Sequence, residues 1–493
     1  MTSHQTVVHI ISHSHWDREW YLPFEQFRLR LVRLLDQVLD LLEDPRAEFR
    51  SFHLDGYVLA IDDYLQIRPE QAERIRRHVA AKRLAIGPWY VLHDAFLTSG
   101  EAQLRNLHYG IERASQLGGA TMIGYFPDTF GNHSQSAQIL QEFGITEAVF
   151  GRGIAPVAEN NTVRHSDRDD TSASELWWQA PNGDRVFSIF LANWYHNGME
   201  LPVDAAAGRT RIAAALANVE RFATTPHLLL MNGCDHQPVQ TDVGTAIARL
   251  NETMPALRFT HSSFSNYLAA VREYEQDWPT AHGELTSART DGWTTLVNTA
   301  SARLYLKQAN AELQRELERW VEPWAALAWL YGKEHPEAQI RYAWKLLLEN
   351  HTHDGICGCS VDAVHDEMMT RFDRVRQVAD VLSGEALAAL VAQVDTADVA
   401  NKGVPLVVFN PLGWARAGWV QATVDLDDEV ALADYALFDA AGTRLAVSVE
   451  DQGWIDGFTL PPDRFRVVWR RRRYQLQFRA DHVPALGYAT FVW

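Results

Sequence analysis

Short apolar runs alternate with amphipathic stretches along residues 1–285. Runs typical of buried strands occur at 7–12, 51–54, 121–126, 148–150 and 228–231. Between them, leucines and valines recur every three or four positions, as in Leu31, Leu34 and Val38, which predicts amphipathic helices. This alternation indicates an α/β domain with parallel strands, and in such domains a ligand binds at the carboxyl ends of the strands.

The pattern changes twice further along the chain. Helical periodicity is predicted over 301–320, 336–348 and 361–392. Short turns join these helices, which favours a bundle. The remainder of the chain is β-rich, beginning with the apolar run at 406–409. The sequence therefore predicts three domains, at 1–285, 286–398 and 399–493.

The charged residues argue against two classes of partner. The chain has 45 Lys and Arg against 63 Asp and Glu, so its formal charge is 45 − 63 = −18. Nucleic acids and anionic membranes attract clustered cationic side chains, so neither is expected as the main partner. No apolar run reaches the roughly 20 residues of a membrane helix. The N-terminal segment lacks a cationic start, so a signal peptide is not expected.

The cysteine content predicts a reducing compartment. Cys234, Cys357 and Cys359 are too few to form a disulfide framework in a chain of 493 residues. We therefore expect reduced thiols and a cytoplasmic location.

A cluster of candidate metal ligands follows the first predicted strand. His13, His15 and Asp17 alternate with other residues, and in extended backbone such residues point to the same side. Two imidazoles and a carboxylate that face one point could bind a divalent cation. A polar loop with a hydrogen-bonded histidine is the alternative interpretation.

A second cluster lies between two predicted helices, so we expect it to form a loop. It contains His351 and His353, followed by Cys357 and Cys359. A Cys-x-Cys pair suggests a soft-metal site, but the chain has no second thiol pair to complete four ligands. A site that takes one histidine from this loop is therefore favoured over a cysteine-based zinc site.

Two further carboxylates follow predicted strands. Asp128 comes after the strand that ends at Phe126, and Asp235 follows the apolar strand at 228–231. A pair of carboxyl groups, one ionised and one protonated, is what cleavage of a glycosidic bond requires. Spacing alone leaves open which carboxylate has which role, and an aspartate in such a position can also be an ordinary turn residue.

Seven blocks of sequence occur in an order that resembles a known family. They are HSHWDREWY at 13–21, HLDG at 53–56, GPWY at 87–90, PDTFGN at 127–132, FGRG at 150–153, MNGCD at 231–235 and HTHDGI at 351–356. Taken in order, they resemble glycoside hydrolase family 38, the α-mannosidases, and in particular the bacterial branch that includes mannosylglycerate hydrolases. Because the blocks are spread over most of the chain, the match is highly specific.

The resemblance implies a multidomain protein. Its catalytic domain would be a seven-stranded α/β barrel, followed by a three-helix bundle and by β-sandwich domains. Typical family members continue well beyond the position that matches Trp493. We therefore expect residues 399–493 to be a truncated portion of a larger β region. A missing C-terminal β domain and a second copy of the chain are the candidate protein partners.

The resemblance also implies the residues of the site. One divalent metal ion, usually zinc, would be held by His15, Asp17, Asp128 and His353. Asp128 would also be the nucleophile, and Asp235 the general acid/base. The positions that match the mannose subsite are Trp20, Phe130, Arg152 and Asp354. Cys234 departs from the family pattern, because many members have a second aspartate there.

The function expected from this resemblance is that of a retaining, exo-acting α-mannosidase. It would remove terminal α-linked mannose from oligosaccharides or small mannosides through a covalent mannosyl-enzyme. Two alternatives stay open. A metal-dependent carbohydrate deacetylase on a similar barrel would need no acid at Asp235. A mannose-binding protein impaired by truncation would bind the sugar and release no product.

Overall fold

The computed structural model describes most of the chain, in two compact units. The described residues are 5–154, 157–158, 162–163, 173–274, 276–286, 296–397, 403–427, 435–461 and 463–493. The first unit comprises Met1–Gln314 and Tyr342–Arg376, and the second comprises Arg315–Arg341 and Gln377–Trp493. The segment 286–398 contributes to both units, and the boundary predicted at its end lies outside the described residues. The three-domain division stays a prediction.

The strands of the first unit include each of the predicted apolar runs. They are β1 (Thr6–Ser12), β2 (Phe52–His53), β3 (Leu84–Ala85), β4 (Gly124–Phe126), β5 (Glu147–Phe150), β6 (Val157–Ala158), β7 (Thr162–Val163), β8 (Glu175–Gln179), β9 (Arg185–Phe190), β10 (His227–Asn232), β11 (Leu257–His261) and β12 (Thr280–His282). The strand predicted at 121–126 is shorter than expected, because only its last three residues pair with β5.

These strands pair largely in parallel, as predicted for an α/β domain. β1 lies between β10 and β11, and both are parallel to it. A second sheet has the order β12-β8-β9-β5-β4, in which β4, β5 and β9 are parallel and β8 is antiparallel to β9. β2 pairs with β3, and β6 with β7. The described strands thus form separate hydrogen-bonded sheets, and closure into one seven-stranded barrel stays a prediction.

Amphipathic helices cover these sheets. They are α1 (Phe24–Glu43), α2 (Leu59–Leu65), α3 (Ala72–Ala80), α4 (Gly100–Gln116), α5 (Ser136–Glu142), α6 (Ala205–Val219), α7 (Val243–Thr253) and α8 (Phe264–Arg272). In α1 the buried positions include Leu31, Leu34 and Val38, which confirms the helix predicted from their spacing. Ser99 caps α4 by accepting a hydrogen bond from the Ala102 N–H.

The described residues after 303 include five further α-helices. They are α9 (Leu304–Glu316), α10 (Glu322–Leu330), α11 (Glu337–Glu349), α12 (His353–Cys357) and α13 (Asp362–Val391). The predicted end at Trp320 is wrong, because a π-helical turn, Leu317–Val321, continues α9 into α10. The wider turn precedes Pro323, whose ring crowds the carbonyl four residues earlier in a regular α-helix. Because α9 and α13 each extend into both units, packing as one three-helix bundle stays a prediction.

The C-terminal part is β-rich, as predicted. Its strands are β13 (Pro405–Asn410), β14 (Arg416–Leu426), β15 (Leu437–Asp439), β16 (Arg444–Leu445), β17 (Val447–Thr459), β18 (Val467–Val483) and β19 (Gly487–Val492). They form two antiparallel sheets, β13-β19-β15-β16 and β14-β18-β17, around a shared apolar core that includes Tyr474, Phe478 and Phe491. None of the helices described anywhere in the chain has both the length and the apolar composition of a membrane span.

Candidate active site

The candidate site residues extend from the carboxyl ends of neighbouring parallel strands. Asp128 follows β4, and Arg152 follows β5, the parallel neighbour of β4. His15 follows β1, and Asp235 follows β10, the parallel neighbour of β1. An isolated parallel bridge joins His15 to Asp235 directly. Because the carboxyl ends of parallel strands meet at one edge of a sheet, the strand pairing by itself brings these side chains into pairs.

Three buried side chains converge in the way that a cation site requires. His15 Nε2 lies 3.1 Å from Asp17 Oδ1, and His353 Nε2 lies 3.3 Å from the same oxygen. One ligand atom from each of these three residues lies within 4.8 Å of the others. Asp128 Oδ2 is adjacent, 3.4 Å from His353 Nε2 and 3.8 Å from His15 Nε2.

The three converging atoms have unsatisfied hydrogen-bonding capacity. His15 Nε2, Asp17 Oδ1 and His353 Nε2 are buried, and none has a hydrogen-bond partner of acceptable geometry. A buried polar atom without a partner is costly, so three of them facing one point need an explanation. A divalent cation bound between the three atoms would explain them, because imidazole nitrogen and carboxylate oxygen are common protein ligands of such cations. The residues present therefore fit a resident metal ion.

His353 reaches this point through a short helix, so the prediction of a loop is wrong at this position. α12 begins at His353 and ends before Gly358, whose φ of 81° lies in the left-handed region. The His353 N–H donates to Leu92 O, and the Asp94 N–H donates to His351 O. These backbone contacts with a distant segment are tertiary interactions, and no local pattern indicates them.

Two histidines from the predicted clusters do not join the site. His13 Nε2 lies 2.7 Å from Tyr195 O, and His351 Nε2 lies 2.7 Å from Asn310 Oδ1. Burial lowers the pKa of each imidazole to about 3. The expectation that His13, His15 and Asp17 face one point is therefore wrong for His13, because this segment is not regular extended backbone beyond β1.

The thiols also have other partners. Cys357 Sγ donates to Asp94 Oδ2 at 3.3 Å, and Cys359 Sγ donates to Asp354 Oδ1 at 3.0 Å. Both contacts use the thiols as hydrogen-bond donors. The preference for a site with one histidine from this loop over a cysteine-based zinc site stays a prediction.

Asp128 is held in its ionised form by a buried arginine. Arg152 Nε donates to Asp128 Oδ1 at 2.7 Å, and a second guanidinium nitrogen contacts the same oxygen. Burial raises the pKa of Asp128, but Arg152 and His353 outweigh burial and hold it below its ordinary value. A carboxylate that stays ionised while buried is suited to act as a nucleophile.

Asp235 has the opposite electrostatic environment. Burial, together with the nearby carboxylates Asp17 and Asp128, raises its pKa to about 6 against the opposing effect of His15. Asp235 Oδ1 is buried without a hydrogen-bond partner. Two carboxyl groups whose environments shift their pKa values in opposite directions form the pairing expected of a nucleophile and a general acid.

Asp55 is a site residue to which sequence reasoning assigned no role. Its Oδ1 accepts a hydrogen bond from His15 Nδ1 at 3.1 Å, and its Oδ2 accepts one from the Trp16 N–H at 2.8 Å. The first contact fixes the His15 ring so that Nε2 points at Asp17. The available signal was its position two residues beyond β2, next to Gly56, in the block at 53–56.

The segment that carries Asp17 and Trp20 is anchored by buried ion pairs, which the sequence also did not indicate. Arg18 Nε donates to Asp63 Oδ2 at 2.8 Å. Glu19 accepts two hydrogen bonds from Arg371, both of 2.6 Å. Paired charges on both sides hold this segment in one conformation, because separating either pair would leave a charge buried and uncompensated.

The residues predicted to line the sugar subsite differ in how closely they approach the cluster. Phe130 presents its ring to His353 in an edge contact with centroids 5.4 Å apart. Asp354 Oδ2 lies 3.9 Å from His353 Nε2. Trp20 is half-buried, and its ring centroid lies 6.3 Å from that of His236. Arg152 contacts Asp128 directly, as described above.

Comparison with known sequences matches almost the whole chain to one family. Residues 5–284 match the profile of the glycosyl hydrolases family 38 N-terminal domain, residues 294–390 the α-mannosidase middle domain, and residues 428–493 the glycosyl hydrolases family 38 C-terminal domain 1. A "Putative mannosylglycerate hydrolase" of Halalkalibacterium halodurans is 44% identical over 97% of this chain and 55% of its own length. The human protein Alpha-mannosidase 2C1 is 25% identical over 84% of this chain and 37% of its own length.

A solved structure has the same fold. The crystal structure of an α-mannosidase from Enterococcus faecalis V583 superposes with a TM-score of 0.90 at 42% identity and covers 99% of this chain and 56% of that chain. The chain therefore spans about half the length of the bacterial relatives that it matches.

Proposed function

The chain belongs to glycoside hydrolase family 38, and from that premise we propose that it forms the catalytic part of a retaining, exo-acting α-mannosidase. Its substrates are terminal α-linked mannose residues of oligosaccharides or small mannosides. The observation that carries the proposal is the convergence of three unpartnered, buried ligand atoms beside Asp128, with Asp235 on the strand next to that of His15. The name of the bacterial relative makes mannosylglycerate one small mannoside to test.

Four residues would hold the metal ion. His15, Asp17, Asp128 and His353 offer two imidazole nitrogens and two carboxylates, which is a donor set that suits zinc. When bound, a divalent cation acts as a Lewis acid that orients sugar hydroxyls and stabilises negative charge beside them. Asp55 keeps His15 in the tautomer whose Nε2 faces the site.

In the first step Asp128 attacks the anomeric carbon. One Asp128 oxygen forms the new bond as the glycosidic C–O bond breaks, which gives a covalent mannosyl-enzyme. Arg152 favours the ionised carboxylate before the attack. Asp235 donates its proton to the leaving oxygen, so the aglycone departs as a neutral alcohol.

In the second step Asp235 acts as a base. Its carboxylate takes a proton from water as that water attacks the anomeric carbon and releases Asp128. Two inversions give net retention of the anomeric configuration. Trp20, Phe130, Arg152 and Asp354 are proposed to position the sugar for both steps.

The proposal places the enzyme in the cytoplasm. Cys234, Cys357 and Cys359 are free thiols, which a reducing compartment preserves. A second copy of the chain and a C-terminal β domain stay predicted protein partners.

Hydrolysis of 4-nitrophenyl α-mannoside by the full chain tests the proposal. We expect nitrophenol release that is lost after dialysis against a chelator and restored by zinc, and the first sugar product seen by NMR should be α-mannose. Asp128→Asn should abolish turnover while mannose binding is retained. Mannose binding without release of nitrophenol by the wild-type protein would instead indicate a binding protein. Release of acetate from an acetylated sugar without mannoside hydrolysis would indicate a deacetylase.

A further inference from the structure

A separate cavity in the first unit is lined by cationic side chains. Its volume is about 350 Å³, and its lining contains Arg50, Lys82 and Arg258 and no aspartate or glutamate. The composition of the whole chain, with 63 acidic and 45 basic residues, would place more carboxylates than cationic side chains on such a wall, and this wall has the opposite balance. None of the residues assigned to the mannosidase site lines this cavity.

The three cationic groups are not neutralised by the protein. Within the described residues, no ion pair involves Arg50, Lys82 or Arg258. Many other arginines, such as Arg18 and Arg74, do form ion pairs. All three side chains are exposed at the cavity, so a ligand can reach them. Unpaired like charges around one concave surface repel each other, and an anion that binds between them removes that repulsion.

Two buried, hydrogen-bonded histidines form part of the cavity wall. His9 Nδ1 lies 2.9 Å from Ser262 Oγ, and His261 Nε2 lies 3.0 Å from Ser12 Oγ. Both imidazoles are at least nine-tenths buried. Burial, with contributions from His227 and Arg258, lowers the pKa of His9 to about 4. Burial likewise lowers the pKa of His261 to about 4, with a contribution from Arg50. The guanidinium charges therefore create a positive potential at the wall.

A helix end and a second cavity adjoin this site. Ser263, the N-cap of α8, and Asn266 of its first turn line the cationic cavity, and the positive end of the helix dipole lies there. A neighbouring cavity of about 520 Å³ shares Ser51, Lys82, Ser263 and Asn266 with the first one. Apart from Lys82 its lining carries no charged side chain. A ligand with an anionic group and a neutral body could thus bind with its anionic group in the cationic cavity and its neutral body in the neighbouring cavity.

We propose that this pair of cavities binds a small phosphorylated sugar, with the phosphoryl group between Arg50, Lys82 and Arg258 and the neutral body in the adjoining cavity. A phosphoryl group carries up to two negative charges and several acceptor oxygens, so it can engage several cations at once. The serine and asparagine side chains of the shared wall can bond sugar hydroxyls. This site is independent of the mannosidase site and of the function proposed above.

Calorimetric titration of the full chain with inorganic phosphate, glucose 6-phosphate and glucose tests the proposal. At low ionic strength we expect saturable binding of phosphate, at least threefold tighter binding of glucose 6-phosphate, and no measurable binding of glucose. The double variant Lys82→Asn and Arg258→Ala should weaken both interactions at least tenfold. Asparagine suits position 82, where φ is 56°.

A matched variant controls for net charge. The double variant Arg33→Ala and Arg209→Ala removes two exposed arginines, on α1 and α6, that line neither cavity, so it loses the same two positive charges as the cavity variant. It should change both affinities less than twofold. Far-UV circular dichroism and thermal unfolding in the absence of ligand check that all variants are folded. The proposal is overturned by the absence of saturable binding, by equal affinity for phosphate and glucose 6-phosphate, or by equal losses in the control and the cavity variant.

Discussion

His15 Nδ1 donates a hydrogen bond to Asp55 Oδ1 over 3.1 Å, and this contact orients a ring that would otherwise be free to rotate about its last side-chain bond. Asp55 is fully buried, its backbone has a φ of 47°, and its carboxylate meets the edge of the ring at Nδ1. Because Nδ1 is engaged in this way, Nε2 is the nitrogen left to face Asp17 and His353. The geometry of the candidate metal site thus depends on a residue that does not itself face the cation position.

Asp55→Asn should weaken metal binding about 10- to 100-fold, because an amide is a poorer acceptor for His15 and lowers the basicity of its Nε2. Asparagine keeps the side-chain size and tolerates the positive φ. Zinc affinity by competition with a chromogenic chelator, together with mannosidase activity, measures the effect. Asp44→Asn, at a half-buried position paired with Arg46 outside the site, is the control. Unchanged zinc affinity in Asp55→Asn would remove Asp55 from the site.

Asp235→Ala should reveal whether Asp235 supplies the proton to the leaving group. Hydrolysis of a poor substrate such as methyl α-mannoside should fall about 10²- to 10⁴-fold, the usual contribution of a general acid. Formation of the mannosyl-enzyme from an activated dinitrophenyl mannoside should fall much less, because that leaving group needs no proton.

Azide provides the second measurement for Asp235→Ala. Azide attacks the mannosyl-enzyme without the help of a general base, so it should accelerate the slow second step. The product should be α-mannosyl azide, without the β-anomer, because the two displacements together retain the configuration. Equal losses on both mannosides, without azide rescue, would assign the acid role to another residue.

Gly110→Ala should destabilise the first unit by about 3 kcal/mol, because a Cβ at this position of α4 would overlap the backbone of residues 88–90. Gly384→Ala is the matched substitution in α13, where no atom lies within 4 Å of the added methyl group. It should be neutral or stabilise by up to about 1 kcal/mol, because alanine has the higher helix propensity. Urea unfolding measures both free energies. Similar values for the two variants would contradict the close helix contact.

His53→Leu should reduce the loss of stability in acid. Burial lowers the pKa of His53 to about 3, so the folded state keeps the imidazole neutral while the unfolded state binds a proton below about pH 6.5. Stability is therefore intact above that pH and falls as the pH decreases from about 6.5 towards 3. Leucine cannot bind this proton. The slope of the free energy of unfolding against pH should therefore be smaller by about 1.4 kcal/mol per pH unit in this range.

Urea unfolding at pH 7.5, 5.5 and 4.5 measures the effect of His53→Leu. Phe264, which contacts the His53 ring in an edge arrangement, offers a control that perturbs the same packing without a titrating group. Phe264→Leu should lower stability by the same amount at each pH. Parallel pH profiles for wild type and His53→Leu would show that His53 is not the group responsible.

The local pattern of apolar and polar residues was sufficient to predict those site residues that follow the ends of strands. Apolar runs predict β4 and β10, and a carboxylate directly after each run must lie at the carboxyl edge of its sheet. Asp128 and Asp235 were therefore predictable as candidates. Their different acidities were not, because they depend on Arg152 beside one carboxyl group and on the burial of the other.

What the sequence by itself determined is the alternation of strands and helices, the β-rich C-terminal part, and a set of chemically competent residues in a family-specific order. What only the tertiary structure decided is which of these residues meet. His353 joins His15 through backbone contacts between segments more than 200 residues apart, and His13 is diverted to Tyr195 O. The physical reason is that hydrophobic periodicity specifies which face of an element is buried, whereas the distance between two side chains depends on the packing of whole elements.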